Sequence, residues 1–170
     1  MAATDQPKGS VSSGSIKPVT RKAVRCQREV AWLVTQAAGK LVATADDVNA
    51  PTPSFVLAAA LSFVRAQEQT AQDTGRAIDY DAVMDPDLAS FCQAAGLPAA
   101  PNALSDAGYM FTLSGADLIR DVYAYCGDLG ERMDSATEVK PGYAIKLALR
   151  MFLLGEISAA TSTAADKTSV

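Results

Sequence analysis

The sequence predicts an all-α protein: a compact bundle of about five helices carrying extended, low-complexity N- and C-terminal arms. Three observations predict it. Alanine dominates the apolar residues while aromatics make up only 6% of the chain, a composition of small side chains that lets helices approach closely. Valine and isoleucine are not gathered into the alternating runs that strands require. Apolar residues recur instead at three- and four-residue spacing, between prolines and glycines placed where helices start and stop. The length of 170 residues suits one domain with a core of its own. The expected division is an arm over residues 1–19, a helical domain over 20–157 and a polar tail over 158–170.

The arm is rich in Ser, Gly, Lys and Pro and has almost nothing to bury, so on its own it is expected to be disordered in water. It has no apolar core of the secretory kind, and no stretch of about 18 apolar residues occurs in the chain to span a bilayer. Helix one is expected from about Thr20 to Ala43, with Thr20 as its N-cap. Val30, Leu33, Val34, Ala37, Ala38, Leu41 and Val42 form its apolar stripe. Thr52-Pro53 starts helix two, apolar nearly all round from Phe55 to Val64. The rest, from Arg65 to Asp73, is polar and is expected to meet water or a polar partner, and Gly75 is the candidate C-terminal cap.

Residues 76–84 read as a connector, and Asp85-Pro86 opens a short helix three closed by Gly96 and Pro98. Ser105-Asp106 is expected to cap a turn or two running through Met110 and Phe111. Helix four begins near Thr112 or Ser114, and Gly127 and Gly130 loosen its end. Lys140-Pro141 opens helix five, which ends near Gly155. The residues from 158 onward lack a core pattern.

The chain contains no histidine, which removes the commonest general base, the Ser-His-Asp and Cys-His triads and the usual zinc ligand sets. Cys26, Cys92 and Cys126 are far apart, sit among apolar residues and read as buried thiols of a reducing compartment. Cys126, between Tyr125 and Gly127, has no cation placed to activate it. Asp79, Asp81, Asp85 and Asp87 offer oxygen ligands for a hard cation but lack the glycine and closing glutamate of a calcium loop, so a solvated acidic turn is the plainer reading. The glycines at 127 and 130 follow a helix and lack a phosphate-loop lysine. No cofactor or metal is expected.

Charge is segregated. Residues 1–28 carry six cationic side chains against Asp5 alone, whereas residues 29–170 carry nine against eighteen carboxylates. The candidate nucleic-acid-binding residues are therefore Lys17, Arg21, Lys22, Arg25 and Arg28. On a helix Arg21, Arg25 and Arg28 would share one face and neutralise several phosphates. Their position at a helix N-terminus, unfavourable for the dipole, suggests an outside demand for the charge. No aromatic residue is interleaved for base stacking.

These features point to a self-assembling structural subunit, coat- or capsid-like, of the kind that builds virions or filaments. Its partners would be copies of itself and nucleic acid held through phosphates, with no membrane. Its place would be the cytoplasm or a virus-like particle. Two alternatives are a small helical nucleic-acid-binding or regulatory adaptor, and a metal-dependent enzyme built on the Asp79–Asp87 cluster.

Overall fold

A computed structural model describes residues 19–44, 50–101 and 108–155. Among these residues six helices and two strands follow one another as β1 (Arg21–Cys26), α1 (Glu29–Thr44), α2 (Pro53–Asp73), α3 (Tyr80–Met84), α4 (Leu88–Ala95), β2 (Tyr109–Ser114), α5 (Ala116–Arg132) and α6 (Pro141–Leu154). The chain is mostly helical but not purely so. The expectations for the arm before residue 19, for a cap at Ser105-Asp106 and for the tail after residue 155 lie outside the described residues.

α6 is the hub. From Ala144 to Leu153 every residue except Lys146 is buried, and the helix packs against α1, α2, α3, α4, α5 and β1. Burying each of Ile145, Leu147, Leu149 and Met151 contributes about 1.5–3 kcal/mol. A helix apolar on nearly every side needs neighbours all round, and these six elements supply them. The stripe expected on the first helix faces this hub: Val30, Leu33, Val34 and Ala37 are buried, and only Val42 at the far end is exposed.

The helix ends follow local chemistry. Thr52 caps α2, its Oγ1 accepting from the Phe55 amide at 3.2 Å, with Pro53 at the first helical position. α2 closes with Gly75 at φ 66°, the Gly75 amide donating to the Gln72 carbonyl and the Arg76 amide to Ala71. Helix four of the sequence reading starts at Ala116 and continues through both Gly127 and Gly130 to Arg132.

The strands correct the first helix and the all-α expectation. Residues 21–26 do not extend the helix that follows; they pair antiparallel with 109–114, Arg21 opposite Ser114 and Cys26 opposite Tyr109. Each segment alternates every second residue: Val24 and Cys26, with Phe111 and Leu113, face the core, and Arg21, Ala23 and Arg25, with Met110, Thr112 and Ser114, face outward. The partner strand lies more than eighty residues away, so local helix formers such as Arg, Lys and Ala disguise the pattern. α1 then begins at Glu29, an acidic first turn that suits the dipole. The misplaced charge inferred from a longer helix disappears.

The register fixes the sheet edges. The Gly115 amide donates to the Thr20 carbonyl at 2.8 Å, so Thr20, Lys22, Val24 and Cys26 turn their backbone groups toward β2 while Arg21, Ala23 and Arg25 turn theirs outward. Ser54 meets the outer edge of β2 at one place, its hydroxyl accepting from the Ser114 amide at 2.9 Å and donating to the Thr112 carbonyl at 3.2 Å, while the outward groups of Met110 have no partner among the described residues. At the outer edge of β1, the Arg25 carbonyl abuts Gly142, where a Cβ would stand 2.5 Å from its oxygen. The outward groups of Arg21 and Ala23 have no partner among the described residues.

Candidate nucleic-acid interface

The strand redistributes the predicted basic residues. Arg21 and Arg25 still share one face, by strand alternation rather than helical spacing, and both are exposed without an ion pair among the described residues. Lys22 points the other way and rests its ammonium over the Tyr123 ring, 4.3 Å from the centroid. Arg28 lies in the turn between β1 and α1 and is exposed. Lys17 lies outside the described residues.

Beside Arg25 the fold opens a cleft of about 610 Å³ where β1, α3 and the start of α6 meet. Arg25 from β1, Asp81 and Asp85 from α3 and its C-terminal end, and Lys140, Tyr143 and Lys146 from the start of α6 line it. Gly142, which also lines the cleft, lacks a side chain and lets the first turn of α6 lie against the strand. Lys140 precedes Pro141 at the helix N-cap, where no side chain satisfies the first amides, so the local potential is further positive. Lys146 is already committed to Glu29 and to the Gln27 amide oxygen at 2.9 Å. Arg25 and Lys140 make no ion pair among the described residues. Burial, then the carboxylates of Asp81 and Asp85, holds the Tyr143 phenol above its usual range.

The four aspartates do not converge. Asp79 caps α3 by accepting from the Ala82 amide at 3.0 Å, and Asp87, not Asp85, caps α4 by accepting from Ser90 at 2.7 Å. The bond from the Ser90 amide holds the Asp87 carboxyl below its usual range. No three acidic or thiol side chains among the described residues stand together as metal ligands.

Two buried ionic centres escaped the sequence reading. Arg150, 1% exposed, donates to the carbonyls of Pro86 at 2.8 Å, Val83 at 2.9 Å and Met84 at 3.3 Å, and to Glu29 at 3.1 Å, with its guanidinium over Phe91. It ties the aspartate segment to α1 and α6. Its signal was a lone charge inside the run from Ala148 to Leu154. Glu68, on the polar half of α2, is 3% exposed and accepts from Tyr80 at 2.5 Å and from Arg132. Within a run as polar as 65–73 nothing singles it out, so the polar partner expected for that half of the helix is internal.

The thiols of Cys26 and Cys126 are buried and pushed up to about 11 by that burial, which keeps both protonated near neutrality. Cys92 is buried and free as well. No protein family matches the chain, and no curated protein or solved structure is significantly similar to it.

Proposed function

We propose that this protein is a self-assembling structural subunit that holds nucleic acid through phosphate contacts on its basic strand. The observation that carries the proposal is the open edge and uncovered outer face of β1. A two-stranded sheet is the smallest that packing against helices can stabilise, and an unpaired strand is a template for pairing with another chain. Natural monomers cover such edges; Ser54 meets that of β2 at Thr112 and Ser114, whereas the outward groups of Arg21 and Ala23 on β1 have no partner among the described residues. Exposed Met110 lies on the same outer face, Val19 just before β1 is exposed, and Phe55 is exposed next to Ser54.

The charge pattern favours a directional contact. Pairing two β1 edges antiparallel about Ala23 would set Arg21 of each copy against Arg25 of the other, which is repulsive. Meeting the acidic body of a neighbour is attractive, and such head-to-tail contacts build rings or helical filaments. Arg21 and Arg25, turned outward, remain available to phosphates.

Ala23→Pro tests the assembly half. Its amide points outward, so proline removes an edge donor without breaking the ladder to β2. The variant is expected to keep its helical circular dichroism and to lose particle mass in light scattering. Particles of unchanged size would refute a role for this edge. Replacing Arg21 and Arg25 with alanine is expected to lower co-purifying nucleic acid and flatten the salt dependence of binding by about two phosphate contacts. Unchanged binding would reassign both arginines to protein contacts.

A further inference from the structure

We infer that the cleft beside β1 receives a single unpaired nucleobase, preferring cytosine, adenine or guanine over uracil or thymine. This rests on the nucleic-acid reading above and names the site at which it would act.

Each wall supplies one part of a nucleotide's chemistry. Arg25 and Lys140 are cations without ion-pair partners among the described residues, placed beside the open start of α6. They suit a phosphate. Tyr143 is partly buried within the cleft and offers the aromatic surface that the basic segment itself lacks. Stacking on such a ring is available to any base. Asp81 and Asp85, exposed and with carboxylates that have no hydrogen-bonded or ionic partner among the described residues, line the same space from α3 and its C-terminus. A carboxylate only accepts, so it favours the exocyclic amine of cytosine, adenine or guanine. Uracil and thymine instead turn two carbonyl oxygens toward it, flanking their single ring N–H.

The fold argues for one strand rather than a duplex. A paired base has its Watson–Crick edge occupied and cannot enter a cleft to meet a carboxylate, whereas unpaired bases can be splayed out, stacked and read on that edge. The volume of about 610 Å³ lies within the range of small-molecule sites. Arg150, itself held by Glu29, fixes the backbone that carries Asp81 and Asp85, and the close approach at Gly142 fixes the start of α6 against the strand that carries Arg25.

The test is fluorescence anisotropy with labelled six-nucleotide homopolymers of cytidine and uridine at one fixed salt concentration. The wild-type chain is expected to bind the cytidine oligomer roughly tenfold more tightly. Tyr143→Leu should weaken both oligomers roughly tenfold, while Tyr143→Phe, which keeps the ring, should bind like wild type. Asp81→Asn with Asp85→Asn should retain binding but lose the preference, because an amide can donate to a uracil carbonyl. Circular dichroism of each variant confirms that it is folded. Equal binding of both oligomers, with no effect of Tyr143→Leu and continued sensitivity to Arg21→Ala, would overturn the cleft site and leave the basic-strand reading standing. No binding of any oligomer by the wild type at low salt would overturn both.

Discussion

Replacing Arg150 with methionine would show how the acidic wall of the cleft is held in place. Methionine nearly matches the arginine stem in length and keeps the contact with Phe91, but it donates nothing. Two short bonds from the buried guanidinium, to Pro86 at 2.8 Å and Val83 at 2.9 Å, are lost, and the weaker one to Met84 goes with them. Bonds from a charged donor contribute about 1.5–3 kcal/mol each. Two effects reduce the loss. Glu29 keeps its ion pair with Lys146, so no carboxylate is stranded, and the cost of desolvating the guanidinium is no longer incurred. The net loss is expected at about 2–4 kcal/mol, a large part of the 5–15 kcal/mol typical of a domain. Urea unfolding followed by circular dichroism should show a lower midpoint with an unchanged slope. Limited proteolysis should cut faster between residues 79 and 87, the segment whose carbonyls are freed. A loss under about 1 kcal/mol, with that segment still protected, would refute the reasoning that Arg150 pins the connector.

Two glycines should respond to alanine with opposite signs. Gly142→Ala sets a methyl against the Arg25 carbonyl and should cost about 1–3 kcal/mol, whereas Gly39→Ala, in a helix with open space around it, should stabilise by about 0.5–1 kcal/mol, both measured by chemical denaturation. Alkali should unfold the chain early. Burial raises Cys26 and Cys126 from 9.0 to about 11, and burial together with Glu68 raises Tyr80 from 10.0 to about 12. The folded state therefore keeps protons that the unfolded state releases, so this stability is intact below pH 9 and falls as pH rises from 9 toward 12. Tyr80→Phe should remove the portion lost between pH 10 and 12, and a melting temperature flat across that window in the wild type would contradict the assignment. The three buried thiols should resist a thiol reagent at pH 8 until denaturant is added, and rapid labelling of the native chain would show that they are accessible.

Helix positions were readable because their signals are local. Thr52-Pro53, Gly75, Gly96 and Lys140-Pro141 act through side chains and backbone within a few residues, and each marks a helix end in the fold. The strand at 21–26 was not readable for the opposite reason. Its six residues contain two core positions, Val24 and Cys26, too few to distinguish a strand from the first turn of the helix that follows. What decides is pairing with 109–114, which only the fold reveals. Charge segregation did find Arg21 and Arg25. It could not place Lys22 on Tyr123, nor gather Lys140, Tyr143, Asp81 and Asp85 around Arg25 from three separate segments. The aspartate run looked like one feature in sequence and resolves into two helix caps and one wall of a cleft.

Light scattering behind size-exclusion chromatography, with absorbance recorded at nucleic-acid and protein wavelengths across each peak, tests the central claim most directly. A subunit that polymerises through the β1 edge and carries nucleic acid on Arg21 and Arg25 should elute as a species many times larger than the 17.7 kDa chain, rich in nucleic-acid absorbance, and should shrink in high salt. A single peak at 17.7 kDa with the absorbance of pure protein, unchanged by concentration or salt, would contradict it.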